Sequence, residues 1–458
     1  MYLSPFERPR PRVLHVTQPV DGGVARVLTD LTRAQLADGF DVAVACPEGR
    51  LAAALRSLGA DVRPWAATRA PGPSLAGQVR RLAAVVADVR PDLVHAHSAK
   101  AGLAGRLAVR GRVPTVFQPH AWSFEAVGGA AAALALGWER RGARWATRVV
   151  CVSEGERLRG ALAGIRAEWA VVPNGVDPNR FHPADAAGTE HAVRPPLPSP
   201  VEDPAESRLP AGPRLPAEPR LPAEPRLLFG GGSSGDSFLL PPGPLGYGSA
   251  PLVVCVGRLC RQKGQDLLLA AWDEVVARVP GARLVLVGDG PDRERLASAA
   301  PESVSFTGNV ADPAPWYRAA DLVVLPSRWE GMALAPLEAM ACGRPVVVTD
   351  VDGARECLPA ALTPHCLTPP RDPAALASAV TALLLDAGLR ASLGRAGRAH
   401  VLAAHDVRRT TAAVTKLYRT LLDGPSTAAP ATGTAALPGP AHGVVSSDDS
   451  DDRESVHS

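Results

Sequence analysis

Long apolar segments are absent from this 458-residue chain. No run approaches the roughly 20 apolar residues that a bilayer-spanning helix needs. The first residues carry charge and proline but no apolar signal core. The seven cysteines are scattered, and no two of them have the Cys-x-x-Cys spacing of a metal site. These absences predict buried, reduced thiols in a cytoplasmic protein, for which any membrane contact would be peripheral, at the inner face of the plasma membrane.

A strong excess of one charge is also missing, since 49 basic and 46 acidic residues leave a net charge of +3. A balance this close to zero argues against nucleic acid as a bulk partner. The hydrophobic fraction of 46% and the charged fraction of 21% are ordinary for a soluble enzyme. The length is sufficient for two domains with full cores and additional material.

Strand and helix signals alternate in two separate parts of the chain. Short apolar strands are predicted at 12–16, 41–45, 92–95, 114–117, 148–152 and 169–172, and again at 252–256, 283–287, 304–307, 322–325 and 345–348. The helices between them predict an α/β fold of two doubly wound parallel sheets, each covered on both faces. Ligands of such sheets bind at the carboxyl ends of the strands, so we expect a cleft between the two domains.

Composition divides the chain into four parts. Residues 1–183 form the first domain, and 251–423 form the second, whose last helix is a candidate to return to the first domain. Residues 184–250 are dense in Pro, Gly and Ser and contain a tandem six-residue repeat at 214–225. This composition predicts an extended or disordered linker, acting as a tether or recruiting a partner through its extended form. Residues 424–458 predict a disordered acidic tail.

The most informative motif is a pair of carboxylates, Glu330 and Glu338, separated by seven residues. A Pro-Ser turn precedes them and an apolar strand follows. This pattern places Glu330 on a loop at the end of a strand and Glu338 on the helix that leaves the loop. At about 1.5 Å per helical residue the two are at most roughly 12 Å apart. That distance suits the two ends of an extended polar ligand better than a shared proton.

A second motif opens the second domain. A strand ends at Gly257, and Arg258 and Lys263 follow on the loop before a helix that starts after Gly264. A helix N-terminus offers free N–H groups and a partial positive charge. With a guanidinium and an ammonium added, the loop suits a diphosphate. Two solvated surface cations are the alternative, which the glutamate pair in the same domain disfavours.

The first domain contributes Gly22 and Gly23, which lie between its first strand and first helix, and His120, which follows a later strand. Adjacent glycines let the backbone approach a ligand closely. An ordinary turn is the alternative for the glycines, and a structural loop residue is the alternative for His120. Their positions at the carboxyl ends of strands favour a place in the cleft.

Three further features leave alternatives open. His95 and His97 end a strand, but no carboxylate or cysteine nearby completes a metal site, so no metal is predicted. Lys100 opens the following helix, as either a surface lysine or a contact for an anionic group on an acceptor. Asn174 lies in a Pro-Asn-Gly turn, as either a turn residue or a contact at the hinge.

Together these motifs resemble family 4 of the retaining glycosyltransferases, which has the GT-B fold of two Rossmann-like domains. The similarity covers about 12–183 and 251–422. It is carried by the loop with Arg258 and Lys263, by the two spaced glutamates and the Ala-Met-Ala-Cys-Gly-Arg-Pro segment after them, by Val-Ser-Glu at 152–154 and by Pro-Asn-Gly-Val-Asp at 173–177.

The resemblance implies a role for each motif. Arg258 and Lys263 hold the donor diphosphate, Glu338 receives the ribose hydroxyls, Glu330 contacts the transferred sugar and His120 lies at the reacting sugar. Gly22 and Gly23 approach the phosphates or the acceptor. The remaining donor-binding residues implied are Gly331, Met332, Ala333 and Leu334, which line the sugar and phosphate pocket, and Asn309, in the loop where the base lies.

The chain also departs from the family pattern. The linker is enlarged, Met332 stands where phenylalanine is frequent, and residues 354–359 replace a glycine-rich second turn. These departures bear on donor preference rather than on the reaction class.

The sequence as a whole predicts a cytoplasmic retaining glycosyltransferase that moves a hexose from a UDP- or GDP-sugar to an acceptor hydroxyl. The expected partners are the nucleotide sugar and a glycan or lipid-linked acceptor. Neither a metal nor another cofactor is expected, because the cationic loop neutralises the leaving phosphate. A nucleotide-sugar epimerase on the same fold and a nucleotide-sugar-binding protein without turnover are the alternatives.

Overall fold

The computed structural model describes residues 10–68, 72–184 and 250–423. The predicted insert, apart from its first and last residues, and the predicted tail lie outside the described residues. The predictions made for those two segments are therefore left as they stand.

Seven parallel strands form the first sheet. They are β1 (Arg12–Thr17), β2 (Asp41–Cys46), β3 (Asp61–Pro64), β4 (Leu93–His97), β5 (Thr115–Gln118), β6 (Arg148–Cys151) and β7 (Trp169–Val171). The intervening helices are α1 (Gly22–Ala37), α2 (Arg50–Ser57), α3 (Leu75–Val89), α4 (Ser98–Val109), α5 (Gly129–Gly142) and α6 (Glu154–Leu162). The strand order β3-β2-β1-β4-β5-β6-β7 reverses direction between β1 and β4, which places the ligand crevice of a doubly wound sheet at their carboxyl ends.

Six parallel strands form the second sheet. They are β8 (Leu252–Val256), β9 (Arg283–Val287), β10 (Val304–Gly308), β11 (Leu322–Leu325), β12 (Val346–Thr349) and β13 (Leu367–Thr368). The helices are α7 (Gln265–Arg278), α8 (Arg293–Ser298), α9 (Ala314–Ala319), α10 (Leu334–Ala341), α11 (Ala354–Cys357), α12 (Thr363–Cys366), α13 (Pro373–Leu385), α14 (Ala387–Ala404) and α15 (Val407–Leu422). The order β10-β9-β8-β11-β12-β13 reverses between β8 and β11.

The central strands are buried because helices cover both faces of each sheet. Strands β8, β9, β11 and β12 are almost entirely apolar, and nearly all of their residues are buried. Continuous apolar runs of this kind are typical of parallel sheets, in which neither face meets water. The predicted fold class of two doubly wound parallel domains is confirmed.

Two edge strands and one helix boundary differ from the prediction. Strand β3 is short and partly exposed, and β13 has only two residues, so neither produces an apolar run. From the sequence, 389–422 is expected to be one helical segment. The structure divides it into α14 and α15, because the carboxylate of Asp406 accepts a hydrogen bond from the backbone N–H of Arg408 and starts a new helix. Helix α15 packs against α1 of the first sheet.

No single helix among the described residues is long and apolar enough to cross a membrane. In that part of the chain, only helices α13 and α14 taken together have the length and apolar composition of a membrane-spanning segment. They are bent by 102° at the break between them.

Candidate functional site

Lys263 and Glu330 meet at the carboxyl end of the second sheet. Gly264 has a left-handed backbone with φ of 69°, and a Cβ there would lie 2.0 Å from the carbonyl oxygen of Pro326. Only glycine allows so close an approach, and it brings Lys263 Nζ to 2.5 Å from Oε1 of the buried Glu330. The hydroxyl of Ser327 donates to the same oxygen at 2.7 Å. The ammonium and the carboxylate therefore form one partly buried pair beside the N-terminus of α7.

Glu338 is held by residues from both domains. It lies on α10 and is buried. The hydroxyl of Tyr317 donates to its Oε2 at 2.7 Å, and the guanidinium of Arg26, on α1 of the first domain, forms an ion pair with its Oε1. Burial lowers the pKa of Arg26. In this conformation the carboxylate predicted to receive a ribose is thus occupied by an arginine from across the cleft.

Arg258 differs from Lys263 in its surroundings. It is half-buried, and the interactions of the described residues include no ion pair or hydrogen bond of its guanidinium. Only its backbone carbonyl is engaged, accepting a hydrogen bond from Gln265 Nε2 at 3.1 Å. Within the described residues, Lys263 is therefore paired with a carboxylate, whereas the guanidinium of Arg258 is not.

The two domains touch along the loop between the glutamates. A Cβ on Gly23, at the start of α1, would lie 3.5 Å from Leu334 at the start of α10. Ser153 Oγ donates to the carbonyl of Gly331 at 2.7 Å, and Asn174 Nδ2 donates to the carbonyl of Met332 at 2.7 Å. Of the two alternatives for Asn174, the contact at the hinge is the one observed.

The segment that departs from the family pattern also joins the domains. The carboxylate of Glu356 accepts hydrogen bonds from the backbone N–H groups of Glu154 and Gly155, at 2.7 and 2.8 Å, at the N-terminus of α6. A helix N-terminus favours an anion at this place. Arg159 of the same helix donates to both carboxylate oxygens of Asp352 at 3.0 Å. The replaced turn therefore acts as a polar contact between the domains.

A small cavity of about 10 Å³ lies beside Glu330, with room for about one water molecule. Ser327, Pro336, Thr349 and Asp352 are among the residues that line it. All of the residues that line it belong to the second domain, and the cavity is too small for a sugar.

Glu156 is a site residue that the sequence reasoning missed. Its carboxylate accepts hydrogen bonds from the backbone N–H groups of Ala121, at 2.6 Å, and Val152, at 2.8 Å. Ala121 and His120 both have positive φ, 107° and 57°, a conformation that needs outside support in residues other than glycine. Burial raises the pKa of Glu156 to about 7, although the two backbone donors oppose the shift. Its sequence signal was the Ser-x-x-Glu capping box at the start of α6.

Four histidines lie close together at the carboxyl ends of β1, β4 and β5. His15, His95 and His97 are fully buried, and His120 is half-buried. One ring nitrogen from each of the three buried histidines lies within 4.8 Å of the other two. His15 completes this group and was missed, because it lies inside an apolar strand 80 residues from His95 and becomes its neighbour only in the sheet.

Lys100 and Asn309 are the two remaining predicted residues. Lys100 is buried near the start of α4, so the surface-lysine alternative is wrong, and burial lowers its pKa. Asn309 is exposed just after β10, which is an edge strand of the second sheet. The functional roles expected for both residues stay predictions.

Comparison with known proteins gives matches to both halves of the chain. The family model described as Glycosyltransferase Family 4 matches residues 21–180, and the model described as Glycosyl transferases group 1 matches residues 250–386. Together they cover more than half of the chain.

Among curated relatives, a GDP-mannose-dependent alpha-(1-6)-phosphatidylinositol monomannoside mannosyltransferase of Mycobacterium tuberculosis is 38% identical over 170 residues, which is 34% of this chain and 44% of the relative. A lipopolysaccharide core biosynthesis mannosyltransferase, LpsB of Rhizobium meliloti, is 41% identical over 115 residues, 23% of this chain and 32% of the relative. The matches thus span less than half the length of these relatives.

Among solved structures, Anabaena HepE in complex with UDP and glucose superposes with a TM-score of 0.67 at 21% identity, covering 90% of this chain and 100% of that chain. At this level of identity the similarity concerns the fold.

Proposed function

Because the chain belongs to glycosyltransferase family 4, we propose that it is a retaining glycosyltransferase that moves a hexose from a nucleotide-diphosphate sugar to an acceptor hydroxyl. The observation that carries the proposal is the pairing of Lys263 with Glu330 at the carboxyl end of β8 and β11, where the second sheet reverses. In the proposal, Lys263 binds the phosphate and Glu330, which lies beside it, binds the sugar.

The proposed chemistry follows from the charges in the cleft. Breaking the bond between sugar and diphosphate develops negative charge on the leaving phosphate. In the proposal, the positive charges of Arg258, Lys263 and the N-terminus of α7 stabilise that phosphate. The acceptor hydroxyl attacks on the same face from which the diphosphate departs, and the departing diphosphate accepts the hydroxyl proton. The transfer then requires no side-chain nucleophile, and in the proposal it requires no metal.

The donor and acceptor are part of the same proposal. The two curated relatives are both named as mannosyltransferases, and one is named as dependent on GDP-mannose, which favours a GDP-sugar over a UDP-sugar. Their names refer to phosphatidylinositol monomannoside and to a lipopolysaccharide core, which supports a lipid-linked or surface glycan as acceptor. We place the enzyme in the cytoplasm, at the membrane surface. All seven cysteines are unpaired, as expected in a reducing compartment.

The test is incubation of the full chain with GDP-mannose, GDP-glucose, UDP-glucose or UDP-N-acetylglucosamine, with and without an extracted lipid-linked acceptor. We expect release of the nucleoside diphosphate together with sugar on the acceptor, in the anomeric configuration of the donor. A changed sugar still attached to its nucleotide, with no acceptor needed, would identify an epimerase instead. Donor binding without nucleotide release from any pair would identify a binding protein.

The Arg26–Glu338 pair leads to a first mutational prediction. Since Arg26 occupies the carboxylate proposed for the ribose, a donor must displace it. We expect Arg26→Ala to bind the donor about tenfold more tightly, because displacing a charge-assisted hydrogen bond costs on the order of 1.5–3 kcal/mol. Isothermal titration with GDP-mannose measures the effect.

Arg33→Ala is the matched control for this prediction. Arg33 lies on the same helix, and its side chain is 56% exposed and paired with Asp30. We expect this variant to bind the donor like the original protein. Weaker donor binding by Arg26→Ala alone would contradict displacement and show that Arg26 itself contacts the donor.

A further inference from the structure

A chain of hydrogen bonds leads from the interior of the first domain to His120. Gln35, on α1, places its Oε1 2.8 Å from His15 Nε2. His15 Nδ1 lies 3.0 Å from His97 Nε2, and His97 Nδ1 lies 3.3 Å from His120 Nε2. Gln35, His15 and His97 are fully buried, whereas His120 is half-buried at the cleft.

The protons in this chain can be counted. Burial lowers the pKa of His15, His97 and His120, so all three rings are neutral near pH 7. A neutral imidazole has one N–H donor and one acceptor nitrogen. Because Gln35 Oε1 can only accept, His15 Nε2 carries its proton and His15 Nδ1 accepts. His97 then donates from Nε2 and accepts at Nδ1, so His120 donates from Nε2.

His95 belongs to the same buried layer but not to this chain. Its Nδ1 lies 2.5 Å from the hydroxyl of Tyr418, on α15. Its ring packs against that of His97, with centroids 3.9 Å apart and planes inclined by 31°. His95 therefore limits the rotation of the His97 ring without taking part in the proton order.

We propose that Gln35, His15 and His97 are positioning residues that hold His120 as the single tautomer with its proton on Nε2 and a free acceptor nitrogen at Nδ1. The backbone next to His120 is held independently, through Ala121 and Glu156. Ring orientation and proton position are thus both set before a substrate arrives. No partner of His120 Nδ1 is recorded among the described residues.

The consequence for catalysis rests on the proposed function. With its proton directed away into the domain, His120 accepts a hydrogen bond from a hydroxyl of the sugar or the acceptor. It cannot donate from Nδ1 to the leaving phosphate. Gln35, His15 and His97 thus determine that the His120 nitrogen facing the substrate hydroxyl is a hydrogen-bond acceptor.

The test combines imidazole ¹⁵N NMR of the full chain with steady-state kinetics. The His120 signals are assigned by their loss in His120→Gln. In the original protein we expect the Nε2–H tautomer of His120. In Gln35→Leu the acceptor that fixes the proton of His15 is lost, so we expect a mixture of His120 tautomers. We also expect kcat to fall about tenfold, as for the loss of one hydrogen bond, while the donor Kd is unchanged.

Thr29→Val is the matched control, because Thr29 lies on α1 like Gln35 but its hydroxyl donates to the carbonyl of Ala25 at 2.8 Å, outside the chain of hydrogen bonds. We expect it to leave the His120 tautomer and kcat unchanged.

Three results would overturn the proposal: an Nδ1–H tautomer of His120 in the original protein, an unchanged tautomer and kcat in Gln35→Leu, or stoichiometric metal on the histidines by elemental analysis. The NMR measurement requires no turnover, so absence of the proposed transferase activity can be distinguished from a wrong assignment of the His120 tautomer.

Discussion

Lys263→Ala is expected to reduce kcat by about 10²–10³-fold, which corresponds to roughly 2.7–4 kcal/mol of lost transition-state stabilisation, by analogy with the removal of one oxyanion donor. The ammonium of Lys263 already lies in the cleft, 2.5 Å from Glu330. Negative charge grows on the leaving diphosphate during the reaction, so a fixed cation stabilises the transition state more than the bound donor. The measurement is the rate of nucleoside diphosphate release at saturating donor and acceptor.

Two control variants separate this effect from others. Lys416→Ala removes an exposed lysine of α15 and is expected to leave kcat unchanged. Lys263→Arg keeps the charge but changes its shape, and we expect partial activity. Lys263→Ala leaves the buried Glu330 with only Ser327 as a side-chain hydrogen-bond partner among the described residues. The stability of the Lys263→Ala protein must therefore be compared with that of the original protein by an unfolding measurement. A folded Lys263→Ala protein with full activity would refute the assignment of Lys263 to the phosphate.

The fold was largely predictable because its strongest signals are local. A buried parallel strand is a short apolar run between turn residues, and each central strand of both sheets shows one. The edge strands β3 and β13 gave no such run, because one of their sides meets solvent and their side chains need not be apolar. The start of α15 was missed because it depends on hydrogen bonds from Arg408 to the carboxylate of Asp406, which composition does not reveal.

The site was predictable where its residues are close in sequence. Glu330 and Glu338 lie on one loop and helix, and Lys263 lies on one loop with a glycine whose close approach brings it to Glu330. Arg26 reaches Glu338 from 312 residues away, so no local pattern connects the two. The same holds for the histidines, whose hydrogen bonds depend on the register between β1 and β4.

The buried histidines also predict a strong loss of stability in acid. Burial lowers the pKa of His15 and His120 to about 4 and that of His95 and His97 well below 6.5. Above pH 6.5 these residues are neutral in both the folded and the unfolded chain and have no effect. As the pH falls below 6.5, the unfolded chain binds protons that the folded chain cannot, and the folded state loses stability. For His15 alone the loss is about 2 kcal/mol at pH 5 and about 3 kcal/mol below pH 4.

Two carboxylates oppose this trend and supply its internal control. Burial raises the pKa of Glu125 and Glu156 to about 7, so the folded chain protonates them first and gains stability between pH 7 and 4.5. Four histidines outweigh two carboxylates, and we expect the free energy of unfolding in urea to fall between pH 6.5 and 5. Glu125→Gln removes one opposing group, so its loss over this range should be steeper. His365→Ala removes an exposed histidine and should leave the slope unchanged. A free energy of unfolding that rises from pH 6.5 to 5 in Glu125→Gln would show that the four rings are not held neutral, which would also remove the basis of the proton order assigned to His120.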